Sequence, residues 1–495
     1  VNRGITGGFA ATIPAGTLAL RAELSGRTAG NTQTPLGVLP TSQLDGYNGG
    51  FGASWAGERG FVGAAVRDYG IRYGVPGTFN GEVIPGGHEG GVEIELRRTA
   101  LRMEGALFTG VAPFRSVKVD GNFVRFDQDE FELGGPSGPV VGTEYRQYTG
   151  TGNLIAPHEH EAGGLLVEGA LGLWILGKDF STAGSNTGSR PARQLALAGF
   201  IFEELNWPAL HLEVGARYDW TRIDPLDTRP GTIGDVRTRD FGAVSASAAA
   251  LYQMAPGWTA GVGLSRAFRT PSIEELFSNG PHLANYSFDI GNPDLGAEYG
   301  FGTDLFVRSS LPRINGELSV FRNAIRDYIY NAPTGGLDPR FGRFPVYQAE
   351  QSDAVLTGFE GRVQWEALQA LVLDLSASYV RGTRRGDDGD VPLPMIPPLH
   401  GSVGARYDAT SYFLGLSLEG AAQQSRTGEF ESRSAGYSLL HSAGGIRWTA
   451  WGRLNTLTLQ ANNVLDTAWR DHLSRIKEVA PQPGRNLQLL YRVGF

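Results

Sequence analysis

The sequence predicts an all-β fold, an antiparallel barrel whose strands cross a membrane, and three observations carry that expectation. Long segments alternate apolar and polar residues with a period of two from end to end of the chain. No run of about 18 apolar residues occurs, which argues against transmembrane helices but not against strands that show lipid only every second residue. The chain carries 71 Gly and 9 Trp, 25 Phe and 17 Tyr among 495 residues, a supply suited to tight turns and to aromatic girdles at two membrane interfaces.

The alternation is read in chain order. Val92, Ile94 and Leu96 oppose Glu93, Glu95 and Arg97, and Leu101 and Met103 continue an apolar face after a change of phase. Over 210–221 the even positions are Leu210, Leu212, Val214, Ala216, Tyr218 and Trp220, whereas the odd ones include His211, Glu213, Arg217 and Asp219. A soluble strand is typically about 5–6 residues long; this one matches the roughly 9–11 residues of a strand tilted across a bilayer. Leu371, Leu373, Leu375, Ala377 and Tyr379 repeat the pattern, as do Tyr412, Leu414, Leu416 and Leu418. In 486–495 Leu487, Leu489, Tyr491, Val493 and Phe495 share one face. Helical periodicity is nowhere sustained over three turns.

Between these segments 74–90, 128–161, 182–193, 224–239, 270–298, 331–353 and 382–398 read as long connections. Short periplasmic turns and long extracellular loops are the pattern of an outer-membrane barrel. A barrel of 22 strands leaves roughly 22 residues for each strand and its connection; about 16–18 strands with longer loops also fit the length. No shift of composition marks a domain boundary, so residues 1–495 are expected to form one barrel domain.

The net charge of −8 does not favour a nucleic-acid partner, and the absence of Cys rules out disulfides and thiolate metal sites. No Gly-x-Ser-x-Gly elbow between strand and helix occurs, and no enzyme is expected. The one local cluster with metal-ligating chemistry is His158-Glu-His-Glu161. Residues two apart on a strand face one side, so His158 and His160 could share an ion while Glu159 and Glu161 point away. A closed zinc site needs about four ligands, and the further candidates are His88 and His282. The bland alternative is a solvated polar lumen or loop edge. Asp387 and Asp390 lie in an acidic run without the spacing of a calcium loop.

Several stretches resemble the barrel of TonB-dependent receptors. These are Ser265-Arg-Ala-Phe-Arg-Thr-Pro-Ser-Ile-Glu-Glu-Leu-Phe277, Asn279-Gly-Pro-His-Leu-Ala284, Gly291-Asn-Pro-Asp-Leu295 with Glu298, Ala461-Asn-Asn-Val-Leu-Asp466 with Trp469 and Arg470, and Pro483-Gly-Arg485. Within that family 52–62 and 73–76 resemble receptors of the zinc-uptake type. The resemblance implies an outer-membrane, multi-pass importer of a scarce nutrient, with zinc or an iron chelate as cargo and no resident cofactor. It implies as partners the outer-membrane lipid and lipopolysaccharide, the TonB energy-coupling complex acting through a plug domain, and the barrel-assembly machinery. That machinery would read Tyr491, Val493 and Phe495 as its signal. Arg266, Arg269, Glu274 and Glu275 would organise an outer loop. Two departures stand out: the N-terminal plug has no counterpart in 1–495, and eight His do not make the His-rich loops of the zinc type. A passive porin is the alternative reading of the same strands.

Overall fold

The computed structural model describes residues 2–134, 138–228, 233–338, 340, 342–387 and 389–494. Among the described residues one sheet holds 24 strands. Three are short strands of outer segments: Asn279–His282, Ser287–Ile290 and Gly389–Pro392. The other twenty-one form an up-and-down meander in which each pairs antiparallel with the next. Trp258–Arg269 pairs with Glu298–Ser310 across the intervening short strands, and Leu371–Gly386 pairs with His400–Asp408 in the same way. The expected count of 22 thus meets twenty-one long strands and three short ones. The short ones come from segments that alternation did not mark as strands.

Connections alternate in length around the meander. Those at one rim, such as 16–17, 58–59, 112–113, 163–164 and 256–257, have two or three residues. Those at the other rim, such as 76–91, 270–297 and 463–485, run much longer. This is the predicted asymmetry, and it identifies the short-turn rim as periplasmic and the long-loop rim as extracellular.

The strands are inside-out relative to a soluble sheet. In Leu210–Pro225, Val214 and Tyr218 are exposed whereas Thr221 and Ile223 are buried. Register carries the apolar face from strand to strand: Leu154 lies opposite Leu173, Leu173 opposite Gly199, Gly199 opposite Tyr218, and Tyr218 opposite Val244. Hydrocarbon, not protein, covers this band. Six of the nine tryptophans, Trp55, Trp207, Trp258, Trp365, Trp448 and Trp451, stand at or near the short turns, where an amphipathic ring suits the interface.

Two readings are corrected. Most of 331–353 is strand, because Ile314–Leu337 and Pro345–Leu368 extend into it. So is most of 128–161, because Phe114–Glu132 and Val140–Ala162 extend into it from both sides. The outward face of Val140–Ala162 carries Gly150 and Gly152 between Tyr148 and Leu154. With no side chain at two lipid-facing positions, the alternation is invisible in the sequence.

The buried apolar core lies under the long loops. Phe180, Ile223, Phe241, Ile273, Leu276, Phe277 and Leu295 form one cluster, and Ile84, Ile94, Leu283, Phe288 and Phe344 form a second. Tyr491 and Val493 lie in the strand Asn486–Val493, where the Tyr491 hydroxyl donates to Asn455 Oδ1 at 2.6 Å. Phe495 lies outside the described residues.

Candidate functional site

The segment 270–297 folds inward instead of standing out from the rim, and it does so around one five-residue helix, Ile273–Phe277. Ser272 starts the helix with a capping box: its Oγ accepts from the Glu275 amide at 3.1 Å, and Glu275 Oε2 accepts from the Ser272 amide at 2.7 Å. Ile273, Leu276 and Phe277 are buried and fasten the helix to the core. A helix so short has little stability of its own, so this burial and the cap decide its position.

Arg269 ties the helix to the barrel wall. Its guanidinium donates to both Glu298 oxygens at 2.8 and 2.9 Å and to Glu275 Oε2 at 2.8 Å. Glu298, itself buried, also accepts from the Ile329 amide. One side chain therefore joins the end of one strand, the loop helix, the start of the next strand and the backbone of a third. Arg266 does not join this node; it donates to the Val244 carbonyl and lies over the Tyr299 ring at 5.3 Å. Two glycines let the inward fold pack. A Cβ on Gly291 would meet backbone atoms of 276–278 at 2.8 Å, and one on Gly280 would meet the Thr187 carbonyl at 2.6 Å.

The inward segments and the wall enclose a cavity of about 440 Å³, within the usual range of small-ligand sites. Gln128, Tyr145 and Gln147 supply its wall, the helix contributes Glu274 and Glu275, and the short strands contribute His282 and Asp289. Arg475 closes it from 463–485. His282 Nδ1 lies 3.4 Å from Asp289 Oδ2. Burial alone would lower the His282 pKa. The hydrogen bond to Asp289 and the negative charges of Glu130 and Asp289 outweigh burial and hold it above the ordinary histidine value. Glu130 is fully buried; Gln128 donates to its Oε1 at 2.8 Å, while its Oε2 has no hydrogen-bond partner among the described residues.

The four histidines singled out by the sequence do not meet. His158 and His160 share a face, as alternation requires, but at the periplasmic rim. His158 Nε2 reaches Glu203 Oε2 at 3.0 Å across Gly169, where a Cβ would collide with both side chains. His88 and His282 lie at the extracellular rim, a strand's length away. His88 is in 76–91 with its Nε2 buried and, among the described residues, without a hydrogen-bond partner; burial holds its pKa down. Among the described residues no three His, Asp or Glu side chains stand as a group that could hold a metal ion.

Sequence reasoning missed two clusters. His400 Nε2 lies 3.2 Å from Glu419 Oε1 and His441 Nε2 lies 3.7 Å from Glu419 Oε2, on three successive strands. Only strand register, which puts Ser402 opposite Glu419 and Ser417 opposite His441, could have found them. At the extracellular side Glu431, His472 and Lys477 form a buried clasp. Glu431 Oε1 lies 3.1 Å from His472 Nε2 and 3.4 Å from Lys477 Nζ, and it accepts from the Met395 amide at 3.0 Å. No local spacing announces it, since Glu431 comes from 422–436 and its two partners from 463–485.

Comparison with known proteins follows the same lines. The family described as TonB dependent receptor-like, beta-barrel, matches residues 12–464. Among curated proteins, an iron-regulated outer membrane virulence protein of Vibrio cholerae is 24% identical over 155 residues, which is 30% of this chain and 24% of that protein. The matched stretch thus spans about a quarter of that relative. Among solved structures, the copper transporter OprC superposes with a TM-score of 0.79 at 16% identity, covering 98% of this chain and 78% of that one. The FrpB iron transporter from Neisseria meningitidis gives 0.75 at 13%, covering 99% and 79%. The ferric citrate transporter FecA gives 0.76 at 13%, covering 98% and 74%. At such identities the likeness shows the fold.

Proposed function

The chain belongs to the TonB-dependent receptors through its outer-membrane β-barrel, and from that premise we propose that it takes up a metal ion or metal chelate from the extracellular side. The family is one of transporters, not enzymes. The observation that carries the proposal is the chamber of about 440 Å³, roofed by inward-folded loops at the extracellular rim and lined by both charged and neutral polar groups. Support for the cargo comes from similar proteins, whose names speak of copper, iron and ferric citrate transport. Zinc, expected from the early segments, has no such support. In this reading the barrel and chamber select the ligand, a plug domain blocks the lumen, and the TonB complex supplies the energy that shifts it. The lipid band and the lipopolysaccharide leaflet are its surroundings, and the barrel-assembly machinery inserts it.

The test is uptake of radiolabelled copper and iron chelates by cells expressing the full-length gene, with and without a working TonB complex. Uptake that needs TonB supports the importer. Uptake that persists without TonB, together with steady conductance in a planar bilayer, makes the protein a passive porin. A full-length gene that encodes no plug overturns the proposed mechanism.

A further inference from the structure

The charges lining the chamber do not all cancel within it. Glu275 is neutralised by Arg269, and Asp289 faces His282. Glu274 and Arg475 remain. Glu274 is exposed on the loop helix, and no ion pair engages it among the described residues. Arg475 projects from 463–485, exposed, with its guanidinium 4.9 Å above the Tyr347 ring and no carboxylate in contact among the described residues. The same cavity therefore offers one uncompensated cation and one uncompensated anion, on different loops. Around them stand neutral groups such as Gln128, Gln147, Ser189 and Asn285, able to donate and accept.

A ligand recognised by complementarity must answer both charges. A polycarboxylate or catecholate chelate brings only negative charge; it would satisfy Arg475 and be repelled by Glu274. A purely cationic ligand has the opposite fault. A group carrying both a carboxylate and an ammonium matches both. Resting on the importer reading, we propose that the chamber takes a zwitterionic amino-carboxylate chelator. Its free carboxylate lies on Arg475 and its free ammonium on Glu274, while its other end holds the metal. The contact with the Tyr347 ring engages the face of the Arg475 guanidinium and consumes none of its N–H donors, so a carboxylate can be bound in bidentate fashion.

The experiment is titration calorimetry on the full-length protein in detergent with three copper(II) probes. The bis-diaminopimelate complex presents a free amino-carboxylate end, the bis-α-aminopimelate complex only a free carboxylate, and the bis-lysine complex only a free ammonium. The diaminopimelate complex is expected to bind about tenfold tighter than either control, since each satisfied charge is worth roughly that factor. Arg475→Gln should erase its advantage over the lysine complex, Arg475→Lys should restore part of it, and Glu274→Gln should erase its advantage over the aminopimelate complex. Heat-modifiable migration on an unheated gel checks that each variant is folded. Equal affinity for all three probes, or tightest binding of the aminopimelate complex, overturns the assignment. The two readings fail separately. TonB-dependent metal uptake without this preference would sink only the ligand class. Preference without any energised uptake would sink the importer and leave the site.

Discussion

At the scale of single residues, Arg269 is the one whose loss should be felt farthest. Arg269→Ala leaves Glu298 buried with only the Ile329 amide as partner, and an unpaired buried carboxylate costs about 2–3 kcal/mol or more. The expected result is a lower melting temperature in detergent and loss of ligand binding together, with Arg269→Lys restoring the first better than the second. Two loop histidines should respond to pH in opposite senses. His282 has a raised pKa, so its contribution is complete below about pH 6.5, the unfolded value, and is lost as pH rises through the folded one. His472 has a lowered pKa, set by burial and then by Lys477, so its contribution is complete above about pH 6.5 and is lost as pH falls toward the folded value. Melting curves at pH 5 and pH 8 check both. His282→Gln should remove stability mainly from the acid side, and His472→Gln should blunt the acid-side loss. A change of the same sign in both variants would contradict this assignment.

At the scale of elements, stability is local. Ser272→Ala removes the cap of a five-residue helix at a cost of about 1 kcal/mol. Amide exchange over 273–278 should quicken while the global melt barely moves, because the meander does not depend on that helix. The clasp around Glu431 is larger in consequence. Glu431→Gln strands the Lys477 ammonium, which is buried, at a cost of about 3–5 kcal/mol. Limited proteolysis should then cut 422–436 and 463–485 in folded barrels, whereas the wild type resists. These elements also show what the sequence could tell. Strands were legible wherever each outward position carried an apolar side chain, as in 210–221, and illegible where glycine emptied that face, as in Val140–Ala162. The node of Arg269 and Glu275 was legible through family likeness. Arg475 was not, because a chamber built from 184–191, 270–297, 463–485 and five wall strands has no spacing to read.

For the whole molecule, the decisive property is that one face of every long strand meets lipid. Leu173→Arg, set in the middle of the outward band, should cost about 2–4 kcal/mol and slow assembly. Asn153→Arg, on the lumen side of the neighbouring strand and facing Asp120, should be nearly neutral. Urea unfolding in detergent micelles distinguishes them, and equal effects would mean the faces are wrongly assigned. Because the apolar core sits under the extracellular loops, the barrel wall and its roof are stabilised by different solvents, hydrocarbon for one and buried side chains for the other. Conditions that thin or remove the bilayer should therefore soften the wall before the roof.

The tryptophans gathered at the short-turn rim give the molecule a built-in optical marker of sidedness. Brominated lipid confined to one leaflet would darken most of the intrinsic emission when placed beside that rim and little when placed opposite. Orientation after reconstitution, and the moment at which that rim reaches its leaflet, could thus be followed by light alone, without attaching any dye.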